Sequence, residues 1–398
     1  MVKSTRKQER VWFVTGASSG FGRAVSAAAL EQGDRVVATA RDPDSIRPLV
    51  ERHPQRTYAL QLDVADPGAA REAVSRAAAR FGRIDVVFNN AGYGHVGAIE
   101  ELTDDELRRQ LDVNLFGVIN ITRAALPLMR EQRCGHFVQM SSLNGVEPLP
   151  GSAYYTASKF GIEGFSATLA AEVAPLGIKV TIVEPGPFRT RFLDPRSAKW
   201  AEPIPDYAQS VGKSREMLRK LNGAQPGDPD RAAHAIIEAV AAEKPPLRLP
   251  LGRMAFDEIR KTLNAQLEEL ARAAGIGLET DFSRESREEL VRQAYTAFNA
   301  RDVEAGVALM DPNVDWPNVP EGGFVHGQDQ VRKHWREQFR RTDPRIEVAA
   351  ISEKNDRVEA LVRQVVRSPD GSKLSDERVL HVFTFAGERI KRMDVDVA

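Results

Sequence analysis

Tyr155 and Lys159 stand four residues apart in MSSLNGVEPLPGSAYYTASK (residues 140–159), and Ser142 stands thirteen residues before the tyrosine. Ser141 and Ser142 end an apolar run, and Gly145, Pro148, Pro150 and Gly151 form a loop. A helical pattern opens at Tyr155, which puts the phenol and the ammonium on one helix face. A free tyrosine, with a pKa of about 10, is a poor proton carrier near neutrality. A neighbouring ammonium favours the phenolate and lowers that value, and a serine hydroxyl on the preceding loop can hold a substrate oxygen. The three residues are thus a candidate acid/base set for a carbonyl or alcohol oxygen. A bare YxxxK also fits an ordinary surface helix, so the surrounding elements decide between the two.

Those elements alternate. VWFVT (residues 11–15) reads as a short buried strand and AVSAAALEQG as a helix, with GASSGFG turning between them. Gly16, Gly20 and Gly22 fall where a strand-to-helix turn needs positive φ and close backbone approach, and the helix start offers free amides to a pyrophosphate. A second strand, DRVVATA, ends at Ala40 with Arg41 next. An acid at Ala40 would select NAD through the ribose 2′-hydroxyl, whereas a guanidinium suits a 2′-phosphate, so Arg41 favours NADP(H) over NAD(H). The alternative is a solvated Arg41 beside Asp42.

Further strands are expected at 57–62, 84–88, 135–140 and 178–183, with helices at 67–81, at 104–130 as one long helix carrying Asn114, and from Tyr155. This rhythm predicts an α/β fold, a doubly wound parallel sheet with ligands at the carboxyl ends of its strands. The glycine turn, Asp63, Asn90, Ser142 and Pro185 all fall at such ends.

Composition excludes other classes. The chain of 398 residues has 42% hydrophobic and 28% charged residues with a net charge of -1, so no overall field draws it to nucleic acid or an anionic membrane. Cys134 is the single cysteine, which excludes an internal disulfide. The charged MVKSTRKQER start has no apolar core of a signal peptide, and no apolar run is long enough for a bilayer span. The expectation is a cytoplasmic protein without nucleic-acid or membrane partners and without a metal site.

TGASSGFG, NNAG (residues 89–92), Asn114, Ser142 with YTASK, and PGPFRT (residues 185–190) come in the order and at the spacing of the short-chain dehydrogenase/reductase family, which residues 8–283 resemble. The resemblance implies a Rossmann domain with Tyr155 as acid/base, Lys159 tuning it and binding the nicotinamide ribose, and Ser142 holding the substrate oxygen. Asn114 would support a proton-relaying water. Gly16, Ser18, Ser19, Gly20, Phe21 and Gly22 would bind the cofactor's phosphates, and Arg41, Asp63 and Val64 its adenosine end. Asn90, Ala91 and Gly92 would meet its middle, and Pro185, Gly186, Phe188 and Thr190 its carboxamide. A homo-oligomer, dimer or tetramer, is implied through the helices carrying Asn114 and Tyr155.

After Thr190 an irregular stretch is expected to form a lid, with Phe188, Phe192, Leu193, Trp200 and Tyr207 giving it an apolar underside. With Val96, Leu143, Val146 and Leu149 this suggests a small hydrophobic alcohol, ketone or aldehyde. The domain boundary is expected near Ser283. Beyond it, helices followed by long alternating strands indicate a smaller α+β domain, and residues 286–398 resemble the nuclear transport factor 2-like superfamily in its SnoaL-like branch. That resemblance implies a cone wrapped by a curved sheet, with Asp315, Trp316, His334, Arg378, His381 and Asp394 as pocket candidates. Asn318 stands where the ketosteroid isomerase branch has its carboxylate base, and His381 where a second acid would be. Three readings follow: an NADP(H)-dependent oxidoreductase with an auxiliary second domain, a bifunctional enzyme whose second domain isomerises, cyclises or dehydrates the product, or a nicotinamide-binding sensor without turnover.

Overall fold

The computed structural model describes residues 9–194, 197–277, 286–318 and 322–397. The chain forms two compact units that meet between Leu270 and Ala271. The boundary expected near Ser283 lies outside the described residues.

The first unit runs β1 (Val11–Val14), α1 (Gly20–Glu31), β2 (Arg35–Ala40), α2 (Arg47–Arg52), β3 (Thr57–Gln61), α3 (Pro67–Phe81), β4 (Val86–Asn89), β5 (Gly94–Val96), α4 (Asp104–Leu111), α5 (Gly117–Gln132), β6 (Gly135–Met140) and α6 (Ala153–Val173). It continues through β7 (Ile178–Pro185), β8 (Ala198–Trp200), α7 (Lys213–Leu221), α8 (Pro229–Ala241), β9 (Arg248–Leu251) and most of α9 (Arg253–Gly277), whose last turns lie beyond Leu270. Seven strands form one parallel sheet in the order β3-β2-β1-β4-β6-β7-β9. Side chains of a strand alternate between faces, so β1 feeds two cores: Trp12 and Val14 join α1 and α8, while Val11 and Phe13 join α3 and α5. Burial on both faces explains the near-continuous apolar runs.

Two expectations are corrected here. The helix expected over 104–130 is two helices joined by a π-type turn at Asp112–Phe116, where Gly117 N–H reaches back to the Asp112 carbonyl. The Asn114 side chain, fully buried, bonds outside the helix instead, and that diversion is the physical reason for the break. The stretch after Thr190 is not irregular throughout. β8 pairs with β5, and α7 is fastened by a buried ion pair from Arg215 to Glu101 at 2.6 Å, whose carboxylate also accepts the Ile204 N–H at 2.7 Å.

The second unit holds α10 (Arg287–Ala300), α11 (Val303–Ala308), β10 (Met310–Pro317), β11 (Phe324–His326), α12 (Gln328–Arg341), β12 (Asp343–Lys354), β13 (Arg357–Arg367), β14 (Lys373–Ala386) and β15 (Arg389–Val397). Its six-stranded sheet has the order β11-β10-β15-β14-β13-β12, antiparallel except where β10 meets β15. Trp335 fills the centre, fully buried, with ring centroids 5.0 Å from Phe298 and 5.3 Å from Trp316. A Cβ on Gly306 would fall 2.5 Å from the Trp335 ring, so glycine is what lets α11 close over the indole.

Candidate active site

The glycine turn follows β1. Gly16 and Gly20 have φ of +66° and +54°, and a Cβ on Gly22 would lie 2.3 Å from the Gly16 carbonyl. Only a chain without side chains there brings the start of α1 this close to the sheet, leaving backbone N–H groups for an anion. Asn90 holds the turn from the next strand end, donating to the carbonyls of Thr15 at 2.9 Å and Gly16 at 3.2 Å. Thr15 Oγ1 accepts the N–H groups of Asn90 and Ala91 at 2.9 and 3.0 Å. From the far side, Thr190 approaches Gly20, and the Phe188 ring lies 5.0 Å from that of Phe21. The turn, residues 90–92 and residues 185–190 therefore line one cleft, including Ser18 and Ser19 within the turn.

Arg41 is exposed at the end of β2, where its carbonyl accepts from Gln61 at 3.1 Å. Asp63 caps the following turn through the Ala65 N–H, and Val64 is turned inward against Gly117. Gly186 is tied to β9 through the Leu251 carbonyl at 3.0 Å.

The acid/base candidates converge at the other end of the cleft. Lys159 is buried and donates to the Met140 carbonyl at 2.6 Å, with Nζ 5.5 Å from the Tyr155 ring centroid. Ser142 caps the turn 143–145 by accepting the Asn144 N–H at 3.1 Å, and its hydroxyl stands close enough to Tyr155 to oppose the rise in the phenol's pKa. Asn114 is held on three sides, donating to the Tyr93 carbonyl at 2.9 Å and Ser158 Oγ at 3.2 Å and accepting the Tyr93 N–H at 3.1 Å. A Cβ on Gly92 would stand 3.2 Å from its Oδ1. Phe192 covers Tyr155, with ring centroids 5.4 Å apart.

The electrostatics differ from expectation. Tyr155 is partly exposed, yet the protein packed around it pushes the phenol up to about 12, against the influence of the Ser142 hydroxyl, so its neutral form is the resident one. Burial brings the lysine itself down to about 7, opposed by Glu163, and its ammonium is directed at Met140.

Sequence reasoning missed Thr15, Tyr93 and Ser158, which hold the glycine turn and Asn114. Ser158 is signalled by a polar group on the buried face of α6 and Thr15 by a hydroxyl at the end of an apolar strand, whereas Tyr93 acts through its backbone and leaves no signal in the sequence.

The pattern of short chain dehydrogenase sequences matches residues 10–200, and that of SnoaL-like domains matches residues 291–393. An oxidoreductase of Botryotinia fuckeliana is 40% identical over 244 residues, covering 61% of this chain and 89% of that protein. The chain belongs to the short-chain dehydrogenase family. A 3-ketodihydrosphingosine reductase of Bacteroides thetaiotaomicron is 38% identical over 248 residues, 62% of this chain and 88% of that one. The crystal structure of a short-chain dehydrogenase from Streptomyces avermitilis, 45% identical, superposes with a TM-score of 0.66 over 69% of this chain and all (100%) of its own. A family member from Burkholderia phymatum in complex with NAD, 22% identical with a TM-score of 0.58, shares the fold. The protein is thus an oxidoreductase of the short-chain dehydrogenase kind, fused to a SnoaL-like domain. Among the described residues no helix is long and apolar enough to cross a membrane.

The pocket candidates of the SnoaL-like domain do not form one group. His381 is buried and bonded to Tyr295 Oη at 3.0 Å, and Trp316 packs in the core. Asp394 and Asp315 meet at Arg392 on the opposite sheet face, at 2.7 and 3.9 Å. Arg378 is exposed, and His334 lies half-buried on α12.

Proposed function

We propose that this enzyme is an NADP(H)-dependent reductase/dehydrogenase that interconverts a hydrophobic ketone or aldehyde with its alcohol, with Tyr155 as the acid/base. The convergence of Ser142, Tyr155 and Lys159 at one end of a glycine-cradled cleft carries this reading. The cradle suits a dinucleotide, because any Cβ at Gly22 would fill the space beside Gly16. The bound cofactor supplies or accepts the hydride. Everything else falls to the chain: the Ser142 and Tyr155 hydroxyls bind the carbonyl oxygen, and Tyr155, neutral at physiological pH, gives it a proton as negative charge develops. Lys159 in its charged form, with Nζ 5.5 Å from the Tyr155 ring centroid, then stabilises the phenolate across that gap, and Asn114, at the π turn, is assigned to returning a proton to it. Oxidation runs the same path backwards.

Arg41 is exposed directly after Ala40, the position where an NAD enzyme of this fold would carry an acid, and supports a 2′-phosphate partner. The hydrophobic substrate class is supported by Phe192 over Tyr155, by the apolar Val96, Leu143, Val146 and Leu149, and by the similarity to a 3-ketodihydrosphingosine reductase of Bacteroides. We assign the SnoaL-like domain an auxiliary role, since its interior is filled by Trp335, Phe298 and Phe383 and its buried histidine is bonded to a tyrosine. The sensor reading has no need of the acid/base set.

The test is NADPH and NADH oxidation against a panel of hydrophobic ketones and aldehydes, comparing wild type with Tyr155→Phe, Arg41→Ala and His381→Leu. The reading expects NADPH-selective turnover, lost in Tyr155→Phe, less selective in Arg41→Ala, and giving the same product in His381→Leu. Tight NADPH binding with no turnover in any variant would favour the sensor.

A further inference from the structure

Two carboxyl groups lie behind the lysine. Glu163 is one helical turn beyond Lys159 on α6, with 8% of the residue exposed, and Glu184 is the last residue but one of β7, with 1% exposed. Both converge on one nitrogen, Nε of Arg248 on β9, at 3.2 Å from Glu163 and 3.5 Å from Glu184. That guanidinium is itself half exposed, and no protein hydrogen bond reaches either oxygen of Glu184. Two carboxylates without further donors in such a place are costly, and the cost falls when one proton is held between them.

The pair also touches the substrate loop. A Cβ on Gly145 would sit 3.3 Å from Glu163 Oε1, so the backbone beside Ser142 rests on this carboxyl, and Glu184 directly precedes the Pro185–Thr190 cofactor loop. Around Lys159, its own helix presents Tyr155 and Glu163, β7 and β9 bring Glu184 and Arg248, and the end of β6 gives the Met140 carbonyl and the Ser141 hydroxyl.

We propose that Glu163 and Glu184 form a carboxyl pair sharing one proton, clamped by Arg248, and that Glu163 is the positioning residue that keeps Lys159 charged. This rests on the assignment of Lys159 above. Burial pushes both carboxyls up, Glu184 to about 7, and the Glu163 charge is what raises Lys159 against its own burial. As pH climbs through neutrality the pair gives up its proton. The negative charge it gains then holds the proton on Lys159, so the lysine stays charged to higher pH than it would alone.

Two measurements on the full-length protein test this. Infrared difference spectra between mildly acid and mildly alkaline buffer should show one carboxylic-acid band lost through neutrality. The band should be absent in Glu184→Gln and shifted about one pH unit lower in Glu163→Gln. An identical band and midpoint in Glu163→Gln, or no band in wild type, would overturn the shared proton. In NADPH oxidation with a ketone of the panel, the alkaline limb of kcat/KM should fall about one pH unit earlier in Glu163→Gln and return in Glu163→Asp. A merely structural glutamate would lower the rate at every pH and leave the limb in place, which would overturn the positioning role. Full turnover in Tyr155→Phe would overturn the assignment of Lys159 itself, whereas an unmoved limb beside an inactive Tyr155→Phe would overturn the carboxyl pair's role alone.

Discussion

Each unit of the protein buries a tyrosine beside a nitrogen base, and the two pairs are built to opposite ends. Tyr295 donates into or accepts from the His381 ring among Phe383, Trp316 and Trp335, and burial drives its phenol well above the usual range while taking His381 down to about 4. Both groups are neutral, and each satisfies the other. Tyr155 shares the upward shift, but beside it stand a serine on a loop and a lysine bonded to Met140, and the residue is partly exposed. A buried tyrosine is thus poised for chemistry by what its neighbours leave unsatisfied, not by burial.

The comparison breaks most visibly if the two tyrosines respond alike. Tyr155→Phe should lower kcat/KM by about 10²–10⁴-fold with an unchanged melting temperature, while Tyr295→Phe should leave turnover intact. Equal losses of rate would refute the contrast. Trp335→Ala should cost about 3–5 kcal/mol in denaturant unfolding of the second unit, with NADPH turnover kept; a turnover loss to match would show that the SnoaL-like domain serves the reaction. Gly22→Ala, whose Cβ would fall 2.3 Å from a backbone oxygen, should weaken NADPH binding about tenfold by fluorescence titration. Retained affinity would mean that the cradle is not the phosphate site.

The smallest effects are in stability against pH. Glu184 holds its proton up to about 7 when folded and to the ordinary 4.5 when unfolded, so between these values the folded state binds more protons and this residue's contribution falls as pH rises. His381 runs the other way. Its folded pKa of about 4 lies below the ordinary 6.5, so stability is lost as pH drops through that window. Chemical denaturation at a series of pH values should show Glu184→Gln and His381→Leu removing slopes of opposite sign. Slopes of the same sign would count against the pairings described for both residues.

Much of the first unit was legible because strand-end motifs are local: GASSGFG, NNAG and YTASK each lie in one short segment whose neighbours announce strand and helix. In the second unit the four long C-terminal strands were legible from the change of period, whereas β10 and β11, which fall between α11 and α12, were not. Less so were features that depend on distant partners. The π turn is invisible in the pattern around Asn114, because its cause is a carbonyl at Tyr93 and a hydroxyl at Ser158. The order of α7 rests on Arg215 finding Glu101 more than a hundred residues away. The lowered Tyr155 pKa was a wrong inference from spacing, since four residues on a helix fix a face and not where a flexible ammonium points.

The π turn at Asp112–Phe116 has a consequence for how this gene tolerates lengthening and shortening. Such a turn amounts to one residue added to an α-helix. Deleting Val113 would restore ordinary pitch and leave α4 and α5 nearly in phase, but it would remove the widened turn that aims Asn114 at Tyr93 and Ser158. Asn114 would then face elsewhere although no functional side chain had been removed. Single-residue deletions here should therefore be purged more strongly than most substitutions, and a frame of otherwise interchangeable helical residues would be held at constant length by one asparagine.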